Sequence, residues 1–177
     1  MIKKLPSQKY LKECLRYEPE TGKLYWKRRP RKHFESSKKF KTWNAHWSGA
    51  EAFTACQKAP GGIVYKVGKL NNCQYKAHRV VWKLVTGKEP PAIIDHKDKK
   101  GSNNRFANMR DASPSQNAVN RKNKVAGVYH LPYRRKPWQP RLHLNKKLVY
   151  LGWFVSKKKA VAARRAAEFK YYGAFAP

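Results

Sequence analysis

A chain of 177 residues with 41 Lys and Arg against 10 Asp and Glu has to fold against its own field. The formal charge of +31 opposes compaction unless a polyanion lies alongside. Nucleic acid supplies that polyanion most directly, since neutralising phosphates releases condensed counterions and drives binding. Charge of this kind often marks disorder, but 41% of the residues are hydrophobic and 13% aromatic, enough to build packed cores. The length suits one ordinary domain or two small modules. An anionic membrane would attract the same charge, yet no apolar run approaches the roughly 18 residues of a spanning helix. The N-terminal "MIKKLPSQKY" also lacks the apolar core of a signal peptide. Cys14, Cys56 and Cys73 are odd in number and form no C-x-x-C pair. They predict reduced thiols in an intracellular, cytoplasmic protein that is not secreted.

Local signals divide the chain. Ser7 is placed to cap a short helix with apolar positions at Tyr10, Leu11, Cys14 and Leu15. A turn at Thr21-Gly22 then feeds a strand carrying Leu24 and Trp26. Residues 28–47 are basic and aromatic and give no periodicity that selects a fold. The segment "GGIVYKVGKLNNCQYKA" alternates and breaks at Asn71-Asn72, a hairpin signature. Val80, Val81, Leu84 and Val85 follow at helical spacing, with Gly87 as the stop. Composition shifts near residue 122. Beyond it, strands are expected over roughly 126–130, 137–144 and 147–154, with a turn at Asn145-Lys146, before an Ala-rich helix closed by Gly173.

The segment between, "IIDHKDKKGSNNRFANMRDASPSQNAVNRK", is dense in turn and cap residues. Ala92–Asp95 and Met109–Ala112 read as strands joined by a long polar loop. Ser113, Pro114 and Gln116 then form a capping box with proline at the first helical position, so a helix begins there and continues to about Arg121. Asn117 falls about one turn in. Cleaving a phosphodiester requires a base for water and a cation for the crowded phosphate. Asp95 is a hard oxygen ligand suited to magnesium, and His96 accepts a proton near neutral pH. Neighbours on a strand point to opposite faces, but if the pair sits at a strand end, where the chain bends, both can reach one phosphate. An asparagine amide can fix an imidazole tautomer, and another can lend a carbonyl oxygen to a metal.

His96, Asn108 and Asn117, spaced by twelve and nine residues, with Asp95 directly before the first, resemble the H-N-H (ββα-metal) motif of phage-type homing endonucleases. "LRYEPETGKLYWKRRP" and "AHRVVWKL" upstream are similar to the N-terminal half of such proteins. The resemblance implies His96 as general base, Asn108 as the residue that orients it, and Asp95 and Asn117 as holders of one divalent cation, magnesium or alternatively manganese. It also implies cleavage of double-stranded DNA to 5′-phosphate and 3′-hydroxyl ends, in the host cell if the protein is phage-encoded. Arg105 and Arg110 are candidates for phosphate contact. His78 is a candidate for the base's surroundings or for DNA, with a satisfied structural histidine an equal alternative.

Residues 126–177 resemble the Apetala-type DNA-binding domain, on "GVY", "WQPRLHL", "LVYLGWF" and the Ala-rich helix. In that family a three-stranded sheet lies in the major groove with the helix behind it. Strand periodicity turns Leu142, Leu144, Val149 and Leu151 toward the helix. The other face presents Tyr129, Arg141, His143 and Tyr150, with Arg134, Arg135, Lys146 and Lys147 at the turns. Tyr129 and His143 stand where the family has arginines, and Tyr150 where it has tryptophan, so docking carries over by resemblance and base preference does not.

The expected fold class is therefore α+β. A ββα-metal core with N-terminal helix and hairpin elements occupies 1–122 (core about 60–122), and a three-stranded antiparallel sheet packed on one helix occupies 126–177. The expected function is a metal-dependent H-N-H DNA endonuclease. A DNA-binding regulator or architectural protein with an inert motif is the alternative, and an RNA-binding or ribosome-associated protein a third. No protein partner and no membrane are implied.

Overall fold

The structure, a computed structural model, describes residues 4–114, 116–117, 127–144 and 147–176. The chain divides into two compact units, Met1–Asp111 and Ala112–Pro177. It is a mixed α+β protein built of small antiparallel sheets.

Local chemistry locates most elements of the first unit. Helix α1 (Gln8–Cys14) begins at Ser7, whose hydroxyl accepts the Tyr10 N–H, and buries Leu11 and Cys14. Strands β1 (Leu15–Glu18) and β2 (Lys23–Trp26) form a hairpin, which β3 (Glu51–Ala52) extends on the β2 side. Between β2 and β3 lies the segment that sequence left unassigned. It forms a 3₁₀ turn (Arg31–His33) and helix α2 (Ser37–Trp47), capped by Ser36. Its anchor is a cation: Arg29 is buried with its guanidinium 5.8, 5.0 and 5.0 Å from the ring centres of Tyr10, Phe34 and Trp43. The Asn44 amide holds the Arg29 backbone, accepting from its N–H at 2.8 Å and donating to its carbonyl at 3.1 Å.

A second sheet joins β4 (Ala55–Lys58), β5 (Val64–Leu70) and β6 (Cys73–Lys76). The β5–β6 turn is Asn71-Asn72 with φ of 51° and 58°, the paired left-handed geometry of a type I′ hairpin. Helix α3 (Ala77–Thr86) follows at once and stops at Gly87, φ 75°. Its buried face differs from the expected one. Val80, Val81 and Leu84 are inside, but Val85 is 44% exposed and Lys83 is buried in its stead. The Lys83 stem packs while its ammonium reaches the Leu5 carbonyl and Glu89, which satisfies the charge.

Strands β7 (Ile94–His96) and β8 (Met109–Asp111) pair antiparallel, with Asp95 opposite Arg110 and His96 opposite Met109. Ile94 and Met109 root this pair in the core that also holds Leu11, Leu24, Leu70, Val80 and Val81. In the second unit, the Ser113 hydroxyl accepts the Gln116 N–H at 3.2 Å, and the Gln116 amide oxygen accepts the Ser113 N–H at 2.8 Å. That is the expected capping box, and Asn117 N–H bonds the Ser113 carbonyl at 2.9 Å. The rest of the helix expected to Arg121, strand residue 126 and the Asn145-Lys146 turn lie outside the described residues.

Strands β9 (Val128–His130), β10 (Trp138–Leu144) and β11 (Lys147–Tyr150) form an antiparallel sheet in the order β11-β10-β9. Helix α4 (Lys157–Tyr172) packs on β10 through Ala160 and Ala167, with Leu142 buried on the strand side. The third strand is shorter than the 147–154 expected. Past Tyr150, the Leu151 N–H still bonds the Pro140 carbonyl at 3.0 Å, Gly152 turns at φ 97°, and a bridge pairs Phe154 with Trp138. Among the described residues no helix is long and apolar enough to cross a membrane.

Candidate functional site

Asp95 and His96 end β7, and both are buried. The Asp95 carboxylate accepts from the Arg110 Nε at 2.7 Å, across the register that sets them opposite each other. Arg110, expected to touch phosphate, is thus engaged by Asp95. Arg105 stands exposed at the loop's end.

The His96 imidazole meets the His78 ring edge-to-face, centres 5.3 Å apart, and the Tyr65 ring at 6.1 Å. His78 and Tyr65 touch each other at 5.2 Å, so three elements (β5, α3 and β7) supply one aromatic cluster. Burial holds the His96 pKa below the ordinary histidine value, while Asp98, Asn104 and Asp95 pull it back up. Burial, then the charges of His96, Lys76 and Arg79, push His78 down to about 3. Both rings are neutral at neutral pH. A neutral imidazole at a strand end is the state in which His96 takes a proton.

The loop between the strands is organised by an aspartate that sequence reasoning passed over. Asp98 Oδ1 accepts from the Lys100 N–H at 2.9 Å and from the Asn108 amide at 3.0 Å, while Oδ2 accepts from the Asn103 amide at 2.7 Å. Asn108 also donates to the Asn103 carbonyl at 3.0 Å, and its own oxygen accepts the Asp98 N–H at 3.1 Å. Asn108 therefore pins the loop that follows His96. These donors hold the Asp98 carboxyl below its usual range even though desolvation acts against them. The signal for Asp98 was present as an Asp two residues before a backbone donor, an Asx-turn pattern.

Two further contacts fix the loop from outside it. The Tyr17 hydroxyl donates to the Asn104 carbonyl at 3.2 Å and accepts the Phe106 N–H at 2.8 Å. Gly22 lies so close that a Cβ there would sit 2.5 Å from the Arg105 nitrogen. On the inner side, a Cβ at Gly101 would meet Ile63 and the Tyr65 ring at 2.8 Å. Asn117 belongs to the second compact unit and is half-buried.

In the second unit, the exposed sheet face gathers Tyr129, Arg141, His143 and Tyr150. The Arg141 guanidinium stands 4.3 Å from the Tyr129 ring and 5.4 Å from that of Tyr150, and its Nε donates to Gln139 at 2.7 Å. Arg134 covers Trp153 at 4.4 Å, Arg135 and Lys147 are exposed, and Lys146 lies outside the described residues.

Comparison with known proteins bears on one stretch. Residues 75–119 match a family model described as HNH endonuclease, about a quarter of the 177-residue chain. The matched stretch runs from within β6 through α3, β7, the loop and β8 to residue 119, and so contains His78, Asp95, His96, Asn104, Asn108 and Asn117. It supports a nuclease, hence a hydrolase, at this site. No curated protein and no solved structure matches the chain.

Proposed function

We propose that the protein is a metal-dependent H-N-H endonuclease of homing type that hydrolyses duplex DNA, leaving 5′-phosphate and 3′-hydroxyl ends. The observation that carries this is His96: a neutral, buried imidazole at the end of β7, in a loop fixed by Asp98 and Asn108, within the stretch that matches the nuclease family. His96 takes the proton of a water as its oxygen attacks phosphorus and the bond to the 3′-oxygen breaks. Asn108 acts on the base by holding the loop's shape, so His96 need not reorganise during the step.

The cation proposed here is one that needs few protein ligands. Among the described residues no cluster of three or more His, Cys, Asp or Glu could hold a metal. Magnesium, however, commonly binds one or two protein oxygens and completes its shell with water and substrate phosphate. Asp95 offers a hard carboxylate, and Asn117 is the proposed second ligand. Bound there, the ion would neutralise charge on the phosphate and the leaving oxygen. Arg110 restrains the Asp95 carboxylate through their ion pair.

The second unit (domain 126–177 in this reading) is an Apetala-type reader of duplex DNA, with Tyr129, Arg134, Arg135, Arg141, His143, Lys146, Lys147 and Tyr150 as its contacts. The stacking of Arg141 between two tyrosines supports this, since a guanidinium held in one plane is suited to a base edge.

The test is incubation of the full chain with supercoiled plasmid in magnesium, manganese or EDTA, beside His96→Ala. Metal-dependent nicking or linearisation is expected, with the variant slower by about 10²–10⁴-fold, as for loss of a general base. Tight duplex binding without cutting in any metal would favour the regulator with an inert motif.

A further inference from the structure

Basic side chains of α3, β8 and the start of the loop are spent on the protein itself. Arg110 donates to Asp95, Arg79 to the carbonyls of Pro90 and Pro91, and Lys97 to that of Ala107. Lys76 is different. Half-buried at the end of β6, it has neither a carboxylate nor a carbonyl partner among the described residues. Its ammonium rests on an aromatic face instead, 4.4 Å from the centre of the Tyr65 ring. The register explains the contact: Lys76 faces Val67 across the β5–β6 ladder, and Tyr65, two residues along β5, shares the Val67 side of the sheet. Tyr65 is also the ring that touches His78 and His96, at 5.2 and 6.1 Å, and against which the loop closes at Gly101. Lys76 is therefore one ring away from the base.

This placement is unfavourable for the protein alone. Lys76 is the N-cap residue of α3, where no side chain caps the helix and no acidic residue stands in the first turn. A lysine there opposes the positive end of the helix dipole. Local conflicts of this kind gather at functional positions. An anion brought to the spot would meet the ammonium and the helix end together.

We propose that Lys76 is a further catalytic residue: its ammonium leaves the Tyr65 face to hold a non-bridging oxygen of the scissile phosphate. This rests on the nuclease reading above, with His96 as base. The flexible four-carbon stem supplies the reach, and three donors on one compact charge suit a phosphate oxygen. A positive charge held there counts most as negative charge builds on the phosphate in the transition state. Tyr65 then parks the cation beside the base until DNA arrives.

The experiment compares the full chain as wild type, Lys76→Met and Lys76→Arg. It measures single-turnover cutting at saturating duplex, the salt dependence of duplex affinity, and melting temperature. Methionine keeps an unbranched stem on the ring and removes the charge, whereas arginine keeps a charge. We expect Lys76→Met to cut about 100-fold more slowly, as for loss of one preorganised donor at the reacting group. Its slope of log K against log salt should be shallower by about 1, the mark of one lost phosphate contact. Lys76→Arg should recover the slope and most of the rate, and melting temperature should hold in both variants. Wild-type rate and slope in Lys76→Met would overturn the proposal, as would a folded Lys76→Arg as impaired as the methionine. So would a melting temperature of Lys76→Met that falls with its rate, since the ammonium would then be a prop for Tyr65. If the wild type cuts in no metal, the nuclease reading fails on its own, and the salt slope of Lys76→Met still decides the phosphate contact.

Discussion

His78 makes stability depend on pH in a direction opposite to that of a histidine with an acidic partner. Its ring lies between Tyr65 and His96, and its Nδ1 is buried without a hydrogen-bond partner among the described residues. Burial, with the charges of His96, Lys76 and Arg79, takes its pKa from 6.5 to about 3. Between those values the unfolded chain binds a proton that the folded one refuses. The contribution is therefore fully present above pH 6.5 and is lost as the pH falls toward 3. At pH 5 the loss is about 2 kcal/mol, and the whole gap is worth about 5 kcal/mol. A domain stable by roughly 5–15 kcal/mol would register either. The assay is urea unfolding of wild type and His78→Phe at pH 7 and pH 5. Phenylalanine keeps the ring and removes the proton acceptor and the unpaired nitrogen, so the variant should be at least as stable at pH 7. The wild type should lose about 2 kcal/mol more than the variant on acidification. Equal losses would refute the reasoning, since the ring would then be protonated in the fold as easily as outside it.

Asp95→Ala should cost about 3 kcal/mol in urea unfolding, apart from any effect on cutting, because it strands the Arg110 guanidinium in a largely buried place. Gly22→Ala meets both a φ of 74° and the Arg105 nitrogen at 2.5 Å, so it should cost on the order of 2 kcal/mol. It should also slow single-turnover cutting while duplex affinity holds, since the backbone it displaces belongs to the loop that follows His96.

The features legible in sequence are those whose chemistry is local. A pair of asparagines between alternating strands specified the β5–β6 turn, and Ser113 with Gln116 specified a helix start, because each motif satisfies its own backbone groups. The strand expected over Ala92–Asp95 is Ile94–His96, so its existence was legible and its ends were not. The face of α3 was misjudged by one position because a lysine stem with a satisfied ammonium buries as readily as valine. The segment 28–47 was opaque because Arg29 gathers rings from positions 10, 34 and 43, which no period connects. Tyr17 and Asn104 are 87 residues apart, so the clamp on the loop exists only once the first unit is folded.

That Arg29 cluster bears on how the protein is handled. A cation sheltered among aromatic faces and shielded from solvent is little affected by mobile ions, whereas contacts to a nucleic-acid backbone weaken steeply as salt rises. Washing at molar salt should therefore strip co-purifying polynucleotide while leaving this part of the N-terminal unit intact. The guanidinium also donates to the Tyr10 hydroxyl and, at 3.4 Å, to His33, whose far nitrogen meets Glu13 at 2.7 Å, so the only carboxylate the described contacts bring near this buried cation is one ring away.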